Sequence, residues 1–524
     1  MKAFTSHIFA IVAASAAVAC SAGSNASSAD DQAGPPPPPS DPSTGLIAAQ
    51  TVIEPRPGTV IPPFEFSAND EALLDEIQRG CFNFFWDAVS EPSGMVVDRT
   101  SKPNLVSVAG VGFQLSALPI GVERGWVSMD RARERALTIV RTLENEPRNR
   151  KAGLFFHYID GRTGALSDEG YEEVVSTIDS ALLKAGLLTA SVYFGGEVAE
   201  ICDRLFAEAD WTFFAAGPEE GPAFEGFISL GWRSAGGDDP TAAGDMLRAH
   251  WIDSGCEHRL VTLLGVCAPE AAHRLDAKLY YDLRRTLGVF EDVGPSVYLP
   301  YSGALFTAFF SHCWIPYHEL GTDNPAAHTD RPRARVDWWE NSRRLAEIHR
   351  RQAIANPMGL ATPGEHAWGM TACDGEDGYL VLQLFPEPVM LLDGVVDRDF
   401  PPHGVRDVWH DGTIAPYGAG SAIMFLPEES VASLRYHRNM PGPDGEPLLW
   451  EDPADGGQGF FDSYRRNPDG SYWLAHDRVA IDQGPLMLAI ENARTGLIWD
   501  LFSRHRFVEA GFERLGVERR PSVP

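Results

Sequence analysis

Glu257 stands in the stretch HWIDSGCEHRLVTLLGV, at the head of an otherwise apolar run. Asp179 stands inside STIDSALLKAGLL, flanked by small and apolar residues. A carboxylate in such surroundings costs free energy unless it is partnered or protonated. Desolvation at the start of a buried helix raises a glutamate's pKa and keeps it neutral. A neutral carboxylic acid facing an ionised carboxylate across a cleft can cleave a glycosidic bond. The acid protonates the leaving oxygen, and the carboxylate activates water or attacks the anomeric carbon. Glu257 is the candidate acid and Asp179 the second candidate. Glu172 and Glu173, just ahead of Asp179, could reach the same place. The plainer alternative for Glu257 is an acid that only complements the positive end of a helix dipole. Cys256, Glu257 and His258 are adjacent, so they point in different directions and do not form one metal site.

Other chemistries find little support. No C-x-x-C or H-E-x-x-H occurs, so a zinc site is not indicated. There is no Walker glycine loop and no G-x-S-x-G elbow, and GAGSA at 418–422 reads as close helix packing. No cofactor and no metal is expected. The formal net charge of −30 argues against nucleic acid or anionic lipid as a main partner and suits a neutral ligand. Trp232, Trp314 and Trp368 are candidates to stack on sugar faces, or else ordinary core residues. The body is expected to be monomeric. Its six cysteines, Cys81, Cys202, Cys256, Cys267, Cys313 and Cys373, sit mostly in apolar contexts and read as buried thiols.

The elements that must position these groups begin after an export segment. Residues 1–20 combine Lys2 with the apolar stretch HIFAIVAASAAVA, too short to span a bilayer, and end at Ala-Val-Ala-Cys20. Cleavage there yields either a soluble secreted protein or a lipoprotein lipidated on Cys20. The Ser-, Gly- and Pro-rich stretch that follows reads as a tether to residue 66 and favours the lipoprotein, periplasmic or held at the outer membrane. In that reading the membrane is touched only through the lipid. Residues 67–524 are expected to form one domain. Its pattern is helical: 69–89, 128–145, 176–194 and 196–211, then 247–266 with 268–287, and 301–315 with 335–356. Helices rich in small and apolar residues alternate with amphipathic ones, with strand-like pieces such as LFFHYID and AFEGFISLGW between. The alternation predicts an all-α, double-layered helical barrel with a polar mouth where loops meet.

In IDQGPLMLAIENARTGLIW (481–499), Asp482 reads as a helix cap, and Glu491, Asn492 and Arg494 close an apolar helix. Glu491 and Arg494, three apart, suit an ion-pair network holding the last helix or a place lining the cleft.

Several blocks together resemble the glucoamylase-like family of bacterial helical-barrel glycosidases, which includes endo-β-1,2-glucanases and related cyclisation domains. They are VAGVGFQLSALPIGVERGWVS, STIDSALLKAGLL, ENSRRLAEIHRRQAIANP, GEHAWGMTACDGEDGY, DGTIAPYGAGSAIMFLPEES and the 481–499 block. The resemblance implies an (α/α)6 barrel and an endo-acting β-glucan hydrolase, with a transglycosylase or a non-catalytic glycan-binding lipoprotein as alternatives. It places the family's proton donor, which follows a Trp, on Glu257 after Trp251. It places the acidic cluster on Glu172 and Asp179, with Ser176 where some members have Asp. Glu365, His366, Trp368 and Asp374 match a block at the substrate mouth, and Ser311, His312 and Trp314 match another. The chain departs at Gly255-Cys256-Glu257-His258-Arg259 and at Ala308, Phe309, Pro316 and His318, which bears on the substrate more than on the fold.

Overall fold

The computed structural model describes residues 49–519, apart from 222–223, 291–292, 300–301, 382–389, 392–409 and 443–444. Cys20 and the export segment lie outside the described residues.

The helices follow the hydrophobic pattern. Helix α1, Ala68–Asp87, starts at Ser67, whose side chain accepts from the Asp70 amide. Helix α2, Val108–Glu123, is buried without interruption from Val108 to Gly121, as an inner helix must be. Helix α3, Met129–Asn145, buries Ala132, Ala136, Ile139, Val140 and Leu143. That spacing makes one stripe, and each large member contributes about 1.5–3 kcal/mol. The alternation continues with inner α4, Thr177–Phe194, outer α5, Gly196–Ala207, and inner α6, Cys256–Cys267. The short helices α7, Lys278–Asp282, and α8, Tyr317–Leu320, are followed by outer α9, Trp338–Ala355. Then come α10, Pro416–Ser421, outer α11, Pro427–Arg438, and inner α12, Ala480–Arg494. The chain closes with α13, Leu497–Ser503, and α14, Arg506–Leu515.

The inner elements are neighbours in sequence: α2 packs on α4 and α4 on α6. Helix α6 packs on the 3-10 turn Phe310–Cys313, which packs on α12, and α12 packs on α10 and back on α2. Outside them, α1 lies on α12 and α2, α3 on α2 and α5, α5 on α4, and α14 on α6. Helices α2 and α4 cross with backbones in contact. A Cβ on Gly112 would lie 2.2 Å from the Leu182 carbonyl oxygen, and one on Gly186 would lie 2.1 Å from the Gly112 oxygen. Glycine is required at that crossing.

Short strands modify the all-α expectation. Leu105–Ser107 pairs with Tyr158–Asp160, and Val174–Ser176 joins a three-stranded sheet with Gly231–Ser234 and Gly244–Met246. Each of Leu105–Ser107 and Val174–Ser176 runs directly into the start of an inner helix. Three expected helices are shorter than their pattern, and of residues 247–266 only Cys256 onward is helical. Residues 268–287 give only the turn Ala271–His273 and α7, because Pro269 interrupts the start and Leu287–Phe290 is drawn into a strand pair. Residues 301–315 form two 3-10 turns. There the amides of Leu305 and Phe306 donate to Met370 and Thr371 instead. The tether is corrected as well. Val52–Ile53 pairs in parallel with Arg335–Val336, Ile53 is buried, and the Phe64 amide donates to Ala493. The apolar side chains of this segment give it a place on the body that composition alone did not suggest.

All six described cysteines are free and buried, as read from their contexts. Among the described residues no helix is long and apolar enough to cross a membrane.

Candidate active site

Three inner helices carry an acid in their first turn: Asp179 on α4, Glu257 on α6 and Asp482 on α12. The mouth is therefore the end where these helices start. Helix dipoles favour carboxylates there, but burial opposes the charge.

Asp179 is held at both ends. Its amide donates to the Ser176 hydroxyl oxygen at 3.3 Å, and the same hydroxyl donates to Asp179 Oδ2. Its other oxygen lies 3.5 Å from His157 Nε2. His157 Nδ1 lies 2.8 Å from Glu172 Oε1, and the ring stacks on Tyr158 with centroids 3.8 Å apart. Burial works against charge on His157, but Asp179 and then the bond to Glu172 prevail and push its pKa up to about 9. An imidazolium thus bridges the two candidate carboxylates. Burial still raises Asp179 above the usual range.

Glu257 differs from its neighbours. It is partly exposed, and among the described residues no hydrogen bond or ion pair holds its charge. Burial first, and then the charge of Asp179, push it up to about 8, so it is a protonated acid at neutral pH. No side chain caps α6 at Gly255, and Glu257 stands in the first turn, where the helix dipole also favours an acid.

A second part of the mouth is built around Asp374, in the strand Ala372–Gly375. Arg99 Nη1 reaches Asp374 Oδ1 at 2.7 Å while its Nε lies 3.1 Å from Asp98 Oδ2. The Asp374 amide donates to Asp462 Oδ2 at 2.7 Å. Burial raises Asp374 despite Arg99. Tyr171 bridges the two parts, since it feels Arg99, Asp98 and Asp374 while packing edge-on against Tyr158. Among the described residues no cluster of histidine, cysteine, aspartate and glutamate could hold a metal ion.

Residues 250–506, which include Glu257, Asp374 and Asp482, match the family model described as "Putative glucoamylase". Over those residues the chain matches the glucoamylase-like family. A curated relative is the exo β-1,2-glucooligosaccharide sophorohydrolase (non-reducing end) of Parabacteroides distasonis. It is 26% identical over 487 residues, which cover 86% of this chain and 58% of that protein. The chain thus matches less than two thirds of its relative's length. A crystal structure from Bacteroides uniformis, given the same description as the family model, is 26% identical with a TM-score of 0.67. The match covers 87% of this chain and 99% of that one. The endo-β-1,2-glucanase of Chitinophaga pinensis, solved with sophorotriose and glucose, is 23% identical with a TM-score of 0.66. That match covers 86% of this chain and 98% of that one, and at such identity it speaks for the fold.

Other residues of the chain fall differently from their sequence roles. The stacking expectation is corrected for Trp232, Trp314 and Trp368, which are 3%, 0% and 0% exposed and offer no open face. Trp314 Nε1 donates to Ser116 on α2 at 2.9 Å, and the Trp232 ring lies under Lys151. Trp368 Nε1 is buried without a partner among the described residues. Trp251 is buried too, donating to Thr177 Oγ1 at the start of α4, and its ring meets His258 edge-on. His312 is buried against Tyr317 and Phe425, its Nε2 2.9 Å from Ser342 Oγ. These two are corrected from sugar contacts to packing. Glu365 is exposed beside Arg350, and the His366 ring sits 5.8 Å from Tyr436. Glu173 faces solvent. Asp482 is not a cap. Helix α12 starts behind Val479, and Asp482 turns inward to Tyr379.

His157, Asp98, Arg99 and Asp462 were not singled out from sequence. They sit in or beside strands of two or three residues, with no periodicity to mark them. The available cue was the polar residue itself, in apolar company at LFFHYID and GFFDSY.

Proposed function

We propose that the chain is a glycoside hydrolase acting on β-1,2-linked glucan. The observation that carries this reading is Glu257: an acid at the first turn of an inner helix, open to the mouth, without a partner among the described residues, held protonated and sensing the charge of Asp179. That is the state required to protonate a glycosidic oxygen. Asp179 and Glu172, joined through His157, supply the carboxylate side of the reaction. Arg99 and Asp374 line the adjoining part of the cleft. The β-1,2 linkage is supported by the sophorohydrolase relative. Cleavage within the chain is the mode expected from the sequence resemblance. The packing of α2 on α4, α4 on α6, α6 on the 310–313 turn, that turn on α12, and α12 on α10 and back on α2 supports reading the inner elements as a closed (α/α)6 ring with the mouth at one end.

The test is incubation of the purified full chain with β-1,2-glucan and with β-1,3- and β-1,4-glucans, with products resolved by size. A ladder of short oligosaccharides from β-1,2-glucan alone is expected. Disaccharide as the sole early product would move the mode to exo cleavage. No product from β-1,2-glucan would overturn the substrate.

Export and a lipid on Cys20 are also proposed. The mature protein is expected to partition with membranes and Cys20→Ser to move it to the soluble fraction. A wild-type protein already wholly soluble after export would exclude the anchor.

A further inference from the structure

Beneath Asp374 lies a pair of carboxylates that the chemistry above does not use. Asp462 and Asp482 are 2% and 0% exposed. The groups facing them are Asp374, Arg99, Tyr379, Tyr417 and the Cys373 thiol. The Arg99 guanidinium, the cation among these groups, is already engaged by Asp98 and Asp374. Tyr379 Oη lies 2.9 and 3.1 Å from the two Asp482 oxygens and donates to that carboxylate. Asp462 Oδ2 accepts the Asp374 amide. Asp462 Oδ1 is buried and receives no donor among the described residues, and the Asp482 carboxyl stands within hydrogen-bonding reach of Asp462. Carboxylates are acceptors only, so a bond between the two requires a proton on one of them. Like charges that close, without a cation of their own, do not both ionise.

We propose that Asp462 and Asp482 share one proton, and that this proton-linked pair positions the Asp374 backbone, and with it the Asp374–Arg99 pair, at the mouth. The proton belongs on Asp462 Oδ1, the oxygen with no other partner. It is donated to Asp482, whose carboxylate Tyr379 also supplies. Both are positioning residues that act through Asp374. Their effect on rate rests on the hydrolytic reading of the mouth, whereas the shared proton does not.

Burial and the neighbouring Asp374 push Asp462 up to about 7, and burial and Asp462 raise Asp482 well above the usual range. In the unfolded chain both aspartates ionise near pH 4. The folded chain therefore holds one extra proton between about pH 4 and pH 7. Its folding equilibrium constant should fall about tenfold per pH unit across that window on this account.

Asp462→Asn separates this arrangement from its rivals. An asparagine amide can donate to Asp482 while its oxygen accepts the Asp374 amide, with no proton to lose. Asp462→Leu can do neither. Denaturant unfolding of the full chain is measured from pH 4 to 8, with kcat and KM on β-1,2-glucan at the same pH values. Relative to Asp462→Asn, wild type should lose folding equilibrium constant by about tenfold per pH unit between about pH 4 and 7. Asp462→Leu should lower kcat by about a hundredfold through displaced geometry, and Asp462→Asn should recover most of that loss. Parallel pH profiles for wild type and Asp462→Asn would overturn the shared proton, as would an asparagine variant as damaged as the leucine one. If wild type cleaves no glucan, the hydrolytic reading fails while the unfolding profiles still decide the proton. If the leucine variant does not fold, the asparagine comparison decides alone.

Discussion

Helix α12 buries a carboxylate at each end, and the two are treated in opposite ways. At the far end, Glu491 receives Arg124 at 2.8 Å, Gln78 at 3.0 Å and Thr495 at 2.7 Å. Arg494 beside it binds Glu71 at 2.6 Å and Gln78 at 2.9 Å, and Asn492 donates to the Cys313 carbonyl. Every charge there has a counter-charge, and the network ties α1, α2 and α12 together. At the mouth end, Asp482 is offered a tyrosine and another aspartate. A buried pair with matched charge holds structure. A buried acid denied a cation must carry a proton, which can be transferred or shared. Glu257 follows the second pattern. The same helix therefore separates a scaffold end from a chemical end.

Replacing Glu257 should give the largest effect on the chemical side. Glu257→Gln keeps shape but removes the transferable proton, so turnover should drop by about two to four orders of magnitude with little loss of thermal stability. The acid works protonated, so wild-type kcat should decline as pH rises through about 8, and the residual rate of the variant should lack that decline. Because its folded pKa lies above the unfolded one, the protonated residue stabilises fully below about pH 4.3 and loses that contribution as pH climbs towards about 8. A folded Glu257→Gln protein with undiminished turnover would pass the acid role to another mouth carboxylate.

At the scaffold end the expectation reverses. Arg124→Met strands Glu491 without its cation and should cost about 3 kcal/mol of stability, with turnover per folded molecule nearly unchanged. Chemical denaturation and kinetics on one preparation compare the two ends directly. A large kinetic loss with intact stability would erase the distinction.

The smallest effect tests the corrected tryptophans. Trp314→Phe removes the donor to Ser116 and leaves a small void, for about 1–2 kcal/mol. If Trp314 is packing, affinity for glucooligosaccharides stays unchanged in titration calorimetry. A marked affinity loss would restore it to the cleft.

Much of the helical framework was legible because burial writes itself into periodicity. The uninterrupted apolar run of α2 and the stripe of α3 needed no partner to be recognised. Glu257 and Asp179 were legible for a related reason, since an acid inside an apolar run is conspicuous. Glu491 and Arg494 were readable as an ion-pair network, but their partners Arg124 and Glu71 lie hundreds of residues upstream. The mouth resists reading for that reason. Asp98, His157, Asp374 and Asp462 come from four short strands or strand edges and are joined only by tertiary folding. Tryptophan misled because its size suits a core and a sugar platform equally, and only the covered faces of Trp314 and Trp368 decide.

The strap at residues 52–66 is tied to the body at two places. It pairs beside the start of α9 and reaches the end of α12. Phe64 meets the last turn of α12 while Asp482 stands in its first, so the strap and the mouth acid occupy opposite ends of one helix.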